Sequence, residues 1–539
     1  MRACLALIIA LLALPALPGA ALGAPEKAGR PHLPGPRATA AVPVRGDVLV
    51  ELDRTAGERA VPALRLSGGR LVSRRLGIWR LSAVRARRIL PGLIRARLVR
   101  LVQPDRRYRG LGDVAAGDPL LASEWWVAAV GADQLEPPGP GKPVTVLDSG
   151  LDVTHPEFAA RPDLVLLNEQ DVTAEGDDHG TAVASVLAAP ANGIGVVGIY
   201  PQVTLNVWDT GDLSSSRIIE GLERAIDAGP GVINLSFGGT DFDPLVEEEI
   251  LIAFGAGNVV VAASGNEFQE GNPLEFPASL NHVLTVAATD ETGAPAYFSS
   301  SSLAVDLAAP GVRMPVAVPL FVDPSGFATY DGTSFSAPLV SGATAWVWTV
   351  RPELDNTQVF ELIRHSARDV GPRGYDVDTG FGVLDLPAAL ARKAPVSDQQ
   401  EPNDDIDHVR ANGLFKTPTR PITAPGRPRA RFEARLDVTE DPEDVYRVWV
   451  PARRAVEIVV RGDANVDLEL WGPGTPTVFA RGSARRKFLI EGSYRAGRRA
   501  DTVRVERTGS HGVFVYADVF LPRNGPIAAA YELSARTFR

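Results

Sequence analysis

The chain has 539 residues, 45% of them apolar and 22% charged, with a formal charge of −10. That length exceeds one hydrophobic core, so three to four units are expected, and the ordinary apolar content excludes a wholly disordered or fibrous chain. The negative charge argues against nucleic acid as the main partner.

The first residues read as a secretory signal. Met1-Arg2 is a basic start, Ala3 to Leu14 an apolar run, and small residues lead to a cut before Ala24, giving a signal over 1–23. The apolar run is too short for a comfortable membrane span, so no stable membrane insertion is expected once the signal is removed. Cys4, the only cysteine, lies before that run, so the secreted chain forms no disulfide. Residues 24–43, rich in Pro, Gly and Ala, read as a linker.

From Arg45 to Arg109 there are 17 Arg, no Lys and five acids, a net of +12, which leaves about −22 on the rest. Strand patterns at Asp47 to Leu52, Arg70 to Leu81 and Ala96 to Val102, with a short helix near Ala83 to Ile89, predict a small α+β unit over 44–117. Its charge suits docking on an acidic body or, equally, a solvated basic face.

From 118 to 394 short apolar runs alternate with helical patterns. Val144 to Leu147, Val203 to Val207, Gly231 to Leu235, Val259 to Ala263 and Val283 to Ala287 predict a mostly parallel sheet covered by helices, a three-layer α/β domain. The polar stretch 395–407 reads as a second linker. From 408 to 539 the period changes to two, at Val445 to Val450, Ala455 to Val460, Asp467 to Trp471, Thr502 to Glu506 and Gly512 to Val519, which predicts an antiparallel β-sandwich.

Three segments carry chemistry. Val144 to Gly150 (VTVLDSG) is an apolar strand ending in Asp148. Asp178 to Ala184 (DHGTAVA) sets His179 between an acid and Gly180 at the start of an Ala-rich helix. Gly332 to Pro338 (GTSFSAP) sets Ser334 at the start of another. Alone, each has a plain alternative: a turn residue, a buried histidine, an N-cap. Together they supply a hydroxyl nucleophile, a base to take its proton and a carboxylate to orient that base. No His cluster has zinc-ligand spacing.

The order Asp, His, Ser and the strings LDSGLDVTHPEF, DDHGTAVASVLAA and GTSFSAP resemble the subtilisin family of serine proteases, peptidase S8 type. The resemblance implies a serine endopeptidase with Asp148, His179 and Ser334 as triad, and no cofactor for the chemistry. VVVAASGNE resembles the family segment whose asparagine donates to the oxyanion, which implies that role for Asn266. Ser236, Phe237 and Gly238 resemble the strand that pairs with substrate backbone. Ala263, Ser264, Gly265 and Gly271 would line an open primary pocket, with Glu267 and Glu270 at its rim. Glu157, Asn192, Ile194 and Val196 stand where the family holds calcium, so structural calcium is an expectation. Ala182 occupies a position where many members carry a second histidine. The basic unit sits where the family keeps an inhibitory propeptide, and the tail resembles pre-peptidase C-terminal β-domains through EPNDD, EDVYRVWV and VDLELWG. The implied partners are protein or peptide substrates and the chain's own propeptide, and the implied location is extracellular. Two other readings share these residues: a binding protein on an inactive copy of the fold, and a transpeptidase using the same acyl-enzyme. The presence of all four catalytic groups speaks against the first.

Overall fold

In a computed structural model, residues 47–53, 56–73, 77–104, 118–173, 176–398, 400–415, 417–506, 509–523 and 525–538 are described. The signal, the first linker, Cys4 and Arg106, Arg107 and Arg109 lie outside these residues. The chain divides into two units, 1–112 and 113–539.

In the first unit, β1 (Asp47–Leu52) pairs with β3 (Ile78–Ser82) and β4 (Val99–Pro104), and β2 (Arg70–Ser73) extends the sheet beside β3. All pairs are antiparallel. The predicted single strand from Arg70 to Leu81 is a hairpin, because Gly77 adopts a positive φ of 63° at its turn. Helices α1 (Val61–Leu66) and α2 (Ala83–Arg95) accompany the sheet. Val48, Val50, Leu64, Trp79, Leu90 and Val102 form their core, and most arginines stay at the surface.

The second unit opens with α3 (Trp126–Ala129) and then builds a seven-stranded sheet. Its strands are β5 (Val144–Asp148), β6 (Leu164–Leu166), β7 (Leu205–Asp209), β8 (Val232–Leu235), β9 (Val259–Ala263), β10 (Val283–Thr289) and β11 (Leu307–Pro310). All neighbours are parallel, in the order β11-β10-β9-β8-β5-β7-β6. Strands β5 and β7 to β10 are buried throughout and mostly apolar, as a sheet covered on both faces requires, with Thr145, Asn206, Asn234 and Thr285 buried among them. Helices α4 (Asp178–Ala188), α5 (Ser215–Asp227), α6 (Pro244–Gly255), α7 (Thr333–Val350), α8 (Asn356–Ser366) and α9 (Leu386–Ala391) accompany it. A hairpin of β12 (Met314–Ala317) and β13 (Phe327–Tyr330) adds to the α/β domain. The sheet order reverses between β5 and β8. Sites in open parallel sheets form where strand order reverses, at the carboxyl ends.

The tail is a sandwich of two four-stranded antiparallel sheets. One holds β14 (Arg429–Asp437), β21 (Ala528–Phe538), β16 (Ala455–Gly462) and β19 (Asp501–Glu506). The other holds β15 (Glu443–Val450), β20 (Val513–Phe520), β17 (Asp467–Trp471) and β18 (Leu489–Ser493). Two short helices, α10 (Ile406–Val409) and α11 (Gly482–Phe488), interrupt the β pattern. The second half of the expected polar linker is no exposed tether: Asn403, Asp404 and Ile406 are buried, while Val396 is exposed. The reason is that the segment packs between the α/β domain and the sandwich. His282 Nε2 lies 3.1 Å from Asp404, and the Val445 N–H donates to the Asn403 carbonyl at 2.7 Å.

Candidate active site

Asp148 ends β5, beside the reversal in the sheet. One carboxylate oxygen accepts from the Ser149 N–H and meets His179 Nδ1, each at 2.8 Å. This approach needs glycine at 180. A Cβ there would lie 2.2 Å from the Gly150 carbonyl and 3.1 Å from the Asp148 Cβ, so only Gly lets α4 close on the strand end. Burial works against a charged His179, but Asp148 and then Asp178 outweigh it, so its pKa stands above the ordinary histidine value. Ala182 is fully buried in the same helix.

Ser334 is the second residue of α7, where a backbone N–H has no acceptor inside the helix. Pro338 lies further along, at the sixth helical position rather than in the first turn. Lacking an N–H, it frees the Ser334 carbonyl, which accepts instead from the Ser236 hydroxyl at 2.9 Å. The Ser334 hydroxyl in turn donates to the Ser236 carbonyl at 3.1 Å. Asn234 donates to the Ser236 hydroxyl and accepts from Ser341 in α7, which ties β8 to α7 beyond the serine. The serine hydroxyl thus rests on Ser236 rather than on His179, whose ring lies 6.0 Å from that of neighbouring Phe335. Catalytic hydrogen bonds in apo structures commonly tighten only with substrate present.

Asn266 follows β9. Its amide oxygen accepts from the Thr333 N–H and hydroxyl, both at 3.0 Å. That fixes the amide orientation and leaves its NH₂ group as the donor toward the cleft.

The primary pocket, expected to be open from its small residues, is occupied beside two of its glycines. Gly238 and Gly265 flank the Glu275 side chain: a Cβ at Gly265 would meet its Cγ at 2.6 Å, and one at Gly238 its Oε2 at 3.1 Å. Glu275 has no motif around it, so the sequence reading missed it. Gly271 borders open space, Glu270 is exposed, and Glu267 accepts from the Asn266 N–H at 2.6 Å.

In the loop expected to hold calcium, the acid oxygens are met by N–H donors. Val196 N–H and the Asn192 amide both donate to Glu157, while the Asn192, Gly193 and Ile194 N–H groups donate to Asp118. Burial pushes Glu157 up to about 7 and neighbouring Glu124 up to about 8. Two other groups bring possible ligand atoms within 4.8 Å of one another: His282, Glu401 and Asp404, and Asp398, Glu401, Asp441 and Asp444. Both lie where the α/β domain meets the sandwich. There Glu401 Oε1, Asn403 Oδ1 and Asp441 Oδ1 are buried without a partner among the described residues. Burial and mutual repulsion raise Asp398, Glu401 and Asp441, and Asp444 reaches about 6. Unpartnered carboxylate and amide oxygens are the donor set of a hard cation such as calcium.

The sequence profile of the subtilase family matches residues 139–382. A subtilisin of Bacillus pumilus is 34% identical over 253 residues, covering 46% of this chain and 90% of that one. Subtilisin Savinase of Lederbergia lenta is 35% identical over 255 residues, covering 47% and 91%. The chain therefore belongs to the subtilase family. Its match spans 65% of the length of subtilisin E of Bacillus subtilis. Among solved structures, fervidolysin of Fervidobacterium pennivorans, a keratinolytic enzyme related to subtilisin, is 19% identical with a TM-score of 0.47, covering 85% of each chain.

Proposed function

We propose that this chain is a secreted serine endopeptidase that hydrolyses peptide bonds through an acyl-enzyme on Ser334. The observation that carries the reading is the 2.8 Å Asp148–His179 pair beside a serine at a helix start whose neighbours Ser236 and Asn266 are already bonded in place. His179 takes the Ser334 proton as the hydroxyl attacks the scissile carbonyl. The Asn266 amide and the Ser334 N–H donate to the oxyanion. His179 then protonates the leaving amine, and water, activated by the same imidazole, releases the acid. Asp148 holds His179 in the tautomer this requires.

The signal over 1–23 supports export, and among the described residues no helix is long and apolar enough to cross a membrane. The basic unit before Asp118 is proposed as an inhibitory propeptide, because its net of +12 complements an acidic remainder. No cofactor enters the chemistry. Calcium is proposed as a structural ion, held by the Asp398, Glu401, Asp441 and Asp444 group, where Glu401 Oε1 and Asp441 Oδ1 lack other partners among the described residues.

A fluorophosphonate probe tests the central claim. Mass spectrometry should find the label on Ser334 and nowhere else. Labelling at Ser236 or Ser264, or none in a protein that cleaves peptides, would overturn the assignment. For the propeptide, purified segment 44–109 is titrated against processed enzyme. It should inhibit at micromolar concentration in low salt and more weakly in high salt.

A further inference from the structure

We infer that Glu275 makes the primary specificity pocket an acidic one, selecting a basic side chain, arginine or lysine, before the scissile bond. The inference rests on the peptidase reading above and names the substrate class of that same site.

Two backbone segments border the nucleophile. Ser236 to Gly239 continues from β8, and its first carbonyl accepts from the Ser334 hydroxyl at 3.1 Å. Ala263 to Gly265 ends neighbouring β9 and leads into Asn266. A substrate carbonyl attacked by Ser334 and held by Asn266 must direct its preceding side chain between these segments. Both present glycine there, and the space beside both glycines is taken by Glu275: its Cγ at Gly265 and its Oε2 at Gly238. Glu267 adds a second carboxylate oxygen, 2.8 Å from the Cβ position of Gly265.

The placement of Glu275 is firm. The next residue, Phe276, exchanges both backbone hydrogen bonds with Gly239, at 2.8 and 3.0 Å, and the Glu275 carbonyl accepts from the Ser279 N–H at 2.8 Å. The acid is therefore bolted to the segment that borders the cleft. Its side chain is treated differently. Glu267 accepts from the Asn266 N–H and lies near the Ser300 hydroxyl. Glu275 is only 5% exposed, yet no hydrogen bond or ion pair reaches its carboxylate among the described residues. Burial and then the like charge of Glu267 raise its pKa. A buried carboxylate facing another acid is costly without a cation. A guanidinium or ammonium from the substrate supplies one, and its hydrogen bonds to two carboxylates are charge-assisted. A phenyl or isobutyl group would instead leave the Glu275 carboxylate desolvated and without a cation.

The test uses the processed enzyme and otherwise identical chromogenic tetrapeptides ending in Arg, Lys, Ala, Leu or Phe before the cleaved bond. Arg and Lys should exceed Phe and Leu in kcat/KM by roughly 10–150-fold, the worth of a hydrogen bond to a charged group. Glu275→Gln should shrink the Arg-to-Phe ratio by about the same factor, and Glu267→Gln by less. Benzamidine, an aromatic amidinium, should inhibit the wild type competitively and lose potency in E275Q. Thermal unfolding of each variant accompanies the kinetics. If E275Q does not fold, the wild-type side-chain preference, the benzamidine result and E267Q decide the matter. Preference for Phe, Leu or Ala in the wild type, or an unchanged ratio in folded E275Q, overturns the inference. If no peptide is cleaved and no probe labels Ser334, the peptidase reading itself fails.

Discussion

The cleft at the end of β5 and the seam between the α/β domain and the sandwich both bury charge, and they handle it in opposite ways. In the cleft most polar groups have a partner of fixed geometry: Asp148 with His179, Asn266 with Thr333, Ser334 with Ser236, Glu267 with the Asn266 N–H. Glu275 is the exception. At the seam acids crowd together. Arg364 is fully buried there among Asp306 at 2.6 Å, Glu361 at 2.8 Å and Asp437 at 3.4 Å, the last contributed by the sandwich. Beyond Arg364 the carboxylates of Asp398, Glu401 and Asp441 outnumber the cations that face them. The difference teaches that a catalytic site spends its polar groups on orientation, whereas an interface can hold excess charge only if something neutralises it.

The contrast breaks most visibly at the nucleophile. Ser334→Ala should lower kcat on the order of 10⁶-fold, the figure for subtilisin's own triad, while thermal unfolding stays close to wild type. Normal turnover in the folded variant would remove Ser334 from the mechanism.

At the seam, Arg364→Met should destabilise the second unit by about 3–5 kcal/mol, because it leaves the buried Asp306 and Asp437 without their cation. Chemical denaturation measures this. A change below about 1 kcal/mol would show that the acids are neutral or otherwise compensated.

Asn266→Ala should cost about 2.7–4 kcal/mol of transition-state stabilisation, the range for the oxyanion asparagine of subtilisin. The loss belongs in kcat, since the donor acts mainly on the developing charge. A pure KM effect would contradict that role.

Removing divalent cations with a chelator should lower the unfolding temperature, and added calcium should restore it. At a hundredfold excess over Kd the gain is about 2.7 kcal/mol. Asp441→Asn with Asp444→Asn should abolish the calcium response. If the response persists in that variant, the ion sits elsewhere, with the Glu157 and Asn192 loop as the next place to look.

The smallest effect is on pH dependence. His179 must be neutral to act as base, and its pKa is raised in the folded state. Activity should therefore appear only as pH rises through a midpoint above 6.5. Asp148→Asn removes the charge that raises it and should move that midpoint down. An acid limb at or below 6.5 in the wild type would mean that burial outweighs Asp148.

Much of the α/β domain was legible in the sequence. The runs that became β5, β8, β9 and β10 are mostly apolar, as strands covered on both faces are, and only Thr145, Asn234 and Thr285 interrupt them before the strand ends. The motifs around Asp148, His179 and Ser334 carried the triad, since close packing dictates small residues such as Gly180 beside the reactive groups. Strands β14 and β21 were missed. The first reads RARFEARLD, with Arg at its exposed positions, and the second opens on three alanines of weak strand preference, yet pairing along nine residues makes both strands. The segment 395–407 looked like a tether because it is polar, and only packing buried its second half.

The family, the order of Asp148, His179 and Ser334 and a β-rich tail could be read from the chain in one dimension, because local motifs and apolar periodicity survive there. The tertiary structure alone decided which acids meet. Glu275 reaches the faces of Gly238 and Gly265, and Asp398, Glu401, Asp441 and Asp444 converge from separate segments. The physical reason is that such contacts depend on strand order and domain packing, which bring together residues that no spacing along the chain relates.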